Sequence, residues 1–208
     1  MHTSTHDFQK YTPWNKGRLI GQKRPLKLQE VWAIRTRLQI ARKIKELALF
    51  NLAIDSKLRG CDLLQIRVKD VLLGGGIVHR ATVIPRKTGH PVQFEITRKS
   101  RSALRELIRR HNLTDEDHLF RSRITASEHL STRQYARLVK SWVSEVGLDS
   151  SMYGTHSMRS TKVSLIYRQT RNLRAVQLLL GHTKLERTVR YLGIEVDDAL
   201  ELSEKTEV

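Results

Sequence analysis

The chain has 208 residues, the length of one domain with a short arm, and 39% of them are hydrophobic, which is enough to bury a core. Its formal net charge of +17 makes nucleic acid the leading partner, with a merely soluble basic surface as the alternative. A single cysteine excludes an internal disulfide framework, the apolar runs are too short for a membrane span, and the nine histidines lack metal-ligand spacing.

The two ends of the chain differ in composition from its middle. Residues 1–25 are rich in basic residues, proline and glycine, and they predict a basic N-terminal arm. Two interpretations of this arm are open, an extended segment lying along DNA phosphates and a disordered tail. Residues 194–208 hold six acidic residues and one basic residue, so they predict an acidic C-terminal tail. Between them, residues 26–193 predict one domain.

The first predicted elements are two helices and a hairpin. Apolar residues recur at spacings of three and four over 28–39 and again over 44–53, which predicts two amphipathic helices with Trp32 on an apolar, core-facing side. Two segments rich in β-branched and alternating apolar residues then flank the turn residues 86–90. This pattern predicts a β-hairpin or a small three-stranded sheet, with Lys87 at its tip.

The rest of the chain is predicted to be helical. Helical spacing of apolar residues marks several helices after residue 100, and a final short helix is predicted near residue 197. Asn172 is suited to begin one of these helices, and Gly181 is suited to end it. The predicted fold class is therefore α+β, mostly helical, with a small antiparallel sheet.

Some of the residues in this fold have the chemistry needed to cut a phosphodiester without a metal ion. The planar guanidinium group of arginine binds the non-bridging phosphate oxygens, where negative charge grows. Lysine or histidine donates a proton to the leaving oxygen. Tyrosine is a suitable nucleophile when the cut must be reversible, because the covalent link keeps the bond available for religation. The candidate catalytic residues, in chain order, are Arg59, Lys87, His156, Arg159, His182 and Tyr191.

Each of these residues, taken alone, is also compatible with a structural role. Arg59 could cap a turn and pair with Asp62, and His156 could be a buried, hydrogen-bonded histidine. Tyr191 could be a core tyrosine, which is the usual fate of tyrosine on an amphipathic helix. The combination of all six residues with a net charge of +22 over residues 1–193 favours a functional site.

The set and order of these residues resemble the active site of the tyrosine recombinases, also called the phage integrase family, from about Leu26 to Tyr191. The segments that carry the resemblance are the H-x-x-R sequence of His156 and Arg159, and the Leu-Gly-His sequence that ends nine residues before Tyr191. The resemblance implies the tyrosine-recombinase catalytic-domain fold over residues 26–193. It also implies a site-specific recombinase or integrase that cleaves and rejoins DNA through a 3′-phosphotyrosyl intermediate, without metal or other cofactor.

The resemblance assigns a role to each candidate. Tyr191 would be the nucleophile, and Lys87 would protonate the 5′ leaving oxygen. His156 would assist proton removal from the tyrosine or orient the phosphate. Arg59 and Arg159 would hold the non-bridging phosphate oxygens with their guanidinium groups, and His182 would add a hydrogen bond to the same phosphate.

The resemblance also implies the partners and the location of the protein. Its partners would be double-stranded DNA and further copies of the chain in a homo-tetramer on DNA, with a second recombinase or an accessory DNA-bending protein as further candidates, and no membrane. The acidic tail of residues 194–208 would dock on a neighbouring copy. The location expected is the bacterial cytoplasm, in association with the nucleoid.

The sequence departs from the family pattern in three places. Ser160 stands where a second histidine is common, and Asp62 stands where glutamate is commoner, although it keeps the charge that can brace a helix or an arginine. Only about 58 residues precede Arg59, so the chain resembles the single-domain members, such as the fimbrial-switch invertases and small stand-alone integrases. Two other functions stay open, namely a DNA-binding regulator or accessory protein on the same scaffold, and strand relaxation of the type IB topoisomerase kind.

Overall fold

The computed structural model describes residues 23–122, 127–181 and 184–192, the last range without the side chains of residues 187, 190 and 191. Most of the predicted basic arm, the whole acidic tail, the helix predicted near residue 197 and His182 lie outside these residues. Within the described ranges, no helix is both long enough and apolar enough to cross a membrane.

Eight α-helices and four short strands make up the described part of the chain. The helices are α1 (Leu28–Ile40), α2 (Ile44–Ser56), α3 (Gly60–Leu64), α4 (Arg98–Arg110), α5 (Thr132–Glu145), α6 (Thr155–Thr170), α7 (Leu173–Leu180) and α8 (Leu185–Leu192). The strands are β1 (Leu72–Leu73), β2 (Gly76–Ile77), β3 (Arg80–Val83) and β4 (Val92–Glu95). A mostly helical fold with small antiparallel sheets confirms the predicted fold class.

Helix α2 lies at the centre of the core. Every residue from Ala48 to Ser56 is buried, because α1, α4 and α6 pack around the helix. A helix that is covered on all sides tolerates apolar residues around its whole circumference. Phe50 meets the Trp142 ring edge-on, with 5.5 Å between ring centroids, and the Trp142 indole donates a hydrogen bond to Glu46 over 2.7 Å. Helix α2 is thus fixed from its first turn to its last.

The strands form two separate two-stranded antiparallel sheets. Strands β3 and β4 pair from Arg80 opposite Glu95 to Val83 opposite Val92, which confirms the predicted hairpin and places Lys87 in its loop. The three-stranded alternative is wrong, because β2 pairs with β1 and not with β3. The β1–β2 turn consists of two glycines with φ of 57° and 78°, the left-handed backbone that two-residue hairpin turns require.

Two features of the helices differ from the sequence prediction. The buried stripe of α1 runs through Val31, Ile34 and Leu38, so Trp32 is displaced to its edge and is 45% exposed. The placement of Trp32 in the core is therefore wrong. Its ring lies under the Lys99 ammonium, 3.4 Å from the ring centroid, and a cation over an aromatic face stabilises an exposed indole. Helix α3 was not predicted, because five residues are too few to reveal a helical period.

Candidate active site

Arg59 is placed by the tight junction between α2 and α3. Helix α2 ends at Ser56, its C-cap residue Lys57 turns the chain with a φ of 56°, and Arg59 is the N-cap residue of α3. The next residue, Gly60, packs against the Tyr135 ring so closely that a β-carbon there would lie 3.2 Å from the ring. The same β-carbon would lie 4.0 Å from Cβ of Thr155, the first residue of α6. The junction therefore sets Arg59 beside the beginning of α6.

Asp62 connects Arg59 to the hairpin loop. Its side chain is only 5% exposed, and its Oδ2 lies 3.9 Å from Nη1 of Arg59. Its Oδ1 accepts a hydrogen bond from the backbone N–H of Arg86 over 3.2 Å. Lys87 follows at an exposed position in a turn that is closed by the Gly89 N–H donating to the Pro85 carbonyl over 2.9 Å. One carboxylate thus lies within ion-pair distance of Arg59 and is hydrogen-bonded to the loop that carries Lys87.

Helix α6 supplies His156 and Arg159, which lie about one turn apart near its N-terminus. Arg159 is 8% exposed, and its Nη2 donates a hydrogen bond to the Leu180 carbonyl over 3.1 Å. His156, by contrast, is exposed to solvent. Partial desolvation and the positive charges of Arg159 and Arg59 lower the pKa of His156 below its ordinary value of 6.5. His156 is therefore neutral at neutral pH and able to accept a proton.

The end of α7 completes the described part of this region. Gly181 ends α7 with φ of 64°, and a β-carbon there would lie 3.3 Å from Cγ2 of Val92, the first residue of β4. Gly181 therefore packs against the hairpin directly after Leu180, whose carbonyl accepts the hydrogen bond from Arg159. His182 follows immediately but lies outside the described residues. The α8 backbone, which carries position 191, packs against α6 and α7.

The structure thus brings three of the six predicted residues together and places a fourth, Lys87, on an adjoining loop. Arg59 and Arg159 lie close enough to His156 to lower its pKa. Lys87 lies on the loop whose Arg86 N–H is hydrogen-bonded to Asp62, the carboxylate beside Arg59. Two guanidinium groups beside a neutral imidazole suit an anion with several oxygens, such as a phosphate diester. Among the described residues, no group of histidine, cysteine and carboxylate side chains has the arrangement of a metal site.

Sequence reasoning missed a buried charged cluster directly before Arg59. Asp55 and Lys57 are 1% and 4% exposed, and Lys162 of α6 pairs with Asp55 over 2.9 Å. The available signal was the sequence Asp-Ser-Lys inside the mostly apolar segment 47–58. Charged residues in such a segment are rare in a core unless they are paired.

Comparison with known proteins identifies the relatives of this chain. A family model described as the phage integrase family matches residues 24–196. The chain is 31% identical over 155 residues to tyrosine recombinase XerC of Neisseria gonorrhoeae, in an alignment that covers 74% of this chain and 48% of that protein. The chain therefore spans about half the length of this curated relative.

Solved structures share the fold. The catalytic domain of bacteriophage HP1 integrase matches with a TM-score of 0.58 at 15% identity, covering 89% of this chain and all of that domain. XerH site-specific recombinase, solved bound to its difH substrate in a pre-cleavage complex, matches with a TM-score of 0.67 at 20% identity, covering 85% of this chain and 51% of that one. At these identities the similarity is one of fold.

Proposed function

The chain belongs to the phage integrase family, and from that premise we propose that it is a site-specific tyrosine recombinase that cuts and rejoins double-stranded DNA. The observation that carries the proposal is the convergence of Arg59 and Arg159 on His156, with Lys87 on the adjoining loop. Family membership supports site-specific recombination. The phosphotyrosyl intermediate and the independence from metal are further parts of the proposal.

The proposed reaction exchanges one phosphodiester for another. The Tyr191 oxygen attacks the scissile phosphorus, and the bond between phosphorus and the 5′ oxygen breaks, which leaves a 3′-phosphotyrosyl link. His156 accepts the tyrosine proton, and Lys87 donates a proton to the departing 5′ oxygen. The bond energy stays in the covalent link, so a 5′ hydroxyl from a second strand can reverse the step and complete strand exchange.

Arg59 and Arg159 would stabilise the charge that grows on the non-bridging oxygens, and His182 would add a hydrogen bond. Before DNA arrives, the Arg159 guanidinium is held by its hydrogen bond to the Leu180 carbonyl, and the Arg59 guanidinium lies 3.9 Å from the Asp62 carboxylate. Preorganised donors avoid reorganisation during the reaction, which makes them effective at stabilising a transition state. These cations do the work for which other nucleases use a metal ion, and the proposal therefore needs no cofactor.

We expect wild-type protein to capture DNA covalently in the presence of a chelator. The test incubates it with fragmented genomic DNA of the source organism in excess EDTA, denatures the mixture and sequences the DNA that stays attached. Recovery of fragments that share one short site supports a recombinase, and synthetic duplexes of that site then serve all rate measurements. Binding without covalent capture would identify the regulator or accessory protein, and strict dependence on magnesium would contradict metal-free chemistry.

We also expect strand cleavage to slow as the pH falls through the pKa of His156. Because this pKa lies below its ordinary value of 6.5, the imidazole stays neutral above it and loses its acceptor nitrogen below it. The single-turnover cleavage rate constant, measured from about pH 5 to pH 8 at saturating protein, should fall on the acid side. In the His156→Gln variant, the rate constant should no longer fall as the pH is lowered. A wild-type rate that rises on acidification would instead assign His156 to phosphate binding in its protonated form.

The same proposal extends to the organisation of the chain. Residues 1–25 would be a basic arm, residues 26–193 the catalytic domain and residues 194–208 an acidic tail. Recombination of two duplexes needs four cleavages, so the proposed assembly on DNA is a homo-tetramer, in which a second recombinase could replace some copies. The net charge of +22 over residues 1–193 supports binding of each copy to DNA phosphates.

A further inference from the structure

A partly buried ion pair joins the two segments that carry the candidate arginines. The Lys162 ammonium donates to Oδ1 of Asp55 over 2.9 Å. Oδ2 of Asp55 accepts the Thr97 N–H over 2.9 Å and also the Ser100 hydroxyl. The Asp55 side chain is 2% exposed and that of Lys162 is 25% exposed. Both carboxylate oxygens are therefore engaged, and this one group binds α2 to α6 and to the beginning of α4.

The position of this pair in the sequence relates it to the active site. Asp55 precedes Arg59 by four residues, and Lys162 follows Arg159 by three residues on α6. The residues between Asp55 and Arg59 are all buried, so this short stretch has little room to adjust. A change in the separation of Asp55 and Lys162 is therefore passed to the separation of the two arginines.

Lys57 makes this junction dependent on the Asp55 charge. Burial and the nearby Lys162 ammonium lower the pKa of Lys57 to about 8, while Asp55 and Glu95 act in the opposite direction. Burial alone would raise the pKa of Asp55, but Lys162 and the hydrogen bonds from Ser100 and Thr97 bring it below its ordinary value. Asp55 thus stays ionised and offsets the repulsion between two ammonium groups at the turn that leads into Arg59.

An ion pair in such a position is not the simplest way to hold a core together. Apolar residues of similar volume often stabilise a buried site as well or better, because they avoid the cost of removing charges from water. What hydrogen-bonded charges add is direction, since each donor must meet a particular oxygen at a particular angle.

Resting on the proposed function, we propose that Asp55 and Lys162 are positioning residues for strand cleavage. Their ion pair fixes the separation of Arg59 and Arg159, so that both guanidinium groups meet the oxygens of the same phosphate. Small misplacements of groups that orient a substrate reduce reaction rates by as much as about a hundredfold. The pair touches neither substrate nor nucleophile and acts only through the arginines.

The first test replaces Lys162 and measures cleavage apart from binding. With saturating protein and a nicked duplex of the captured site, Lys162→Met should slow covalent adduct formation by about 10- to 100-fold at unchanged DNA affinity. Lys162→Arg, which keeps the charge and the hydrogen bond, should stay within a few-fold of wild type. The matched control is Lys69→Met, which breaks the exposed ion pair of Lys69 with Glu116 and should change neither quantity.

The second test asks whether the pair acts through Arg59. In an Arg59→Lys background, Lys162→Met should slow adduct formation by a much smaller factor than it does in the wild-type background, because the effects of substitutions within one network are not additive. If Lys162→Met lowers the thermal midpoint so far that folding is lost, Lys162→Gln replaces it, and the same loss of rate and the same coupling are expected.

The outcomes distinguish failure of the proposed function from failure of the positioning role alone. Failure of wild-type protein to form an adduct would contradict the proposed function and, with it, any role of the pair in strand cleavage. A wild-type rate in a folded Lys162→Met or Lys162→Gln protein would overturn the positioning role. So would a full additive loss of rate in the Arg59→Lys background, since the pair would then act on cleavage by a route other than Arg59.

Discussion

Replacing Tyr191 with phenylalanine is expected to abolish covalent attachment to DNA while leaving DNA affinity unchanged. The change removes a single oxygen, which is the proposed nucleophile, and phenylalanine is suited to the same helical position. The measurement incubates each protein with an end-labelled, nicked duplex of the captured site and separates adducts in denaturing gels. Affinity is measured on the same duplex without the nick.

A second tyrosine provides the control for this experiment. Tyr153 lies three residues before His156, and its hydroxyl is 3.5 Å from the Glu30 carboxylate, so Tyr153→Phe removes a hydroxyl near the site without removing the proposed nucleophile. This variant should form adducts at the wild-type rate. Adduct formation by Tyr191→Phe would assign the nucleophile to another residue and remove Tyr191 from the mechanism.

Replacing Arg159 with alanine should reduce the cleavage rate by a factor on the order of 10² to 10³. The change removes a preorganised, nearly buried guanidinium, and the remaining cations cannot supply its two-pronged contact with the phosphate oxygens. Arg159→Lys keeps the charge without the planar fork and should recover only part of the rate. Both rates are measured in single turnover at saturating protein.

Arg168 on the same helix is the matched control. It lies exposed in the last turn of α6, so Arg168→Ala changes the net charge equally without touching the site. Thermal unfolding of each variant separates a catalytic loss from a folding defect, since Arg159 also holds the Leu180 carbonyl. If a folded Arg159→Ala protein cleaves at the wild-type rate, Arg159 has only that structural role.

The helices could be predicted from sequence because their buried faces repeat with the helical period. Asn172 also begins α7 as its side chain predicts, by accepting the Ala175 N–H over 2.9 Å, and Gly181 ends the same helix in the left-handed conformation. The hairpin around Lys87 was predictable because its strands alternate on both sides of a turn. These signals are local, and each lies within a single element.

What the sequence could not predict depends on contacts between elements. Trp32 shares its helical spacing with buried residues, and only the packing of α1 through Val31, Ile34 and Leu38 shows that its ring lies at the surface. Strands β1 and β2 are two residues long, too short to reveal an alternation. The pair of Asp55 with Lys162 joins residues 107 positions apart, so no spacing in the sequence indicates it.

The measurement that tests the central claim most directly is identification of the residue that carries the DNA. Wild-type protein trapped on its captured site is digested with protease and nuclease, and the remaining nucleotide-bearing peptide is sequenced by mass spectrometry. The account predicts a single modified residue, Tyr191, joined to a 3′ phosphate, with a free 5′ hydroxyl on the other side of the cut. A link to any other residue, or to a 5′ phosphate, would contradict it.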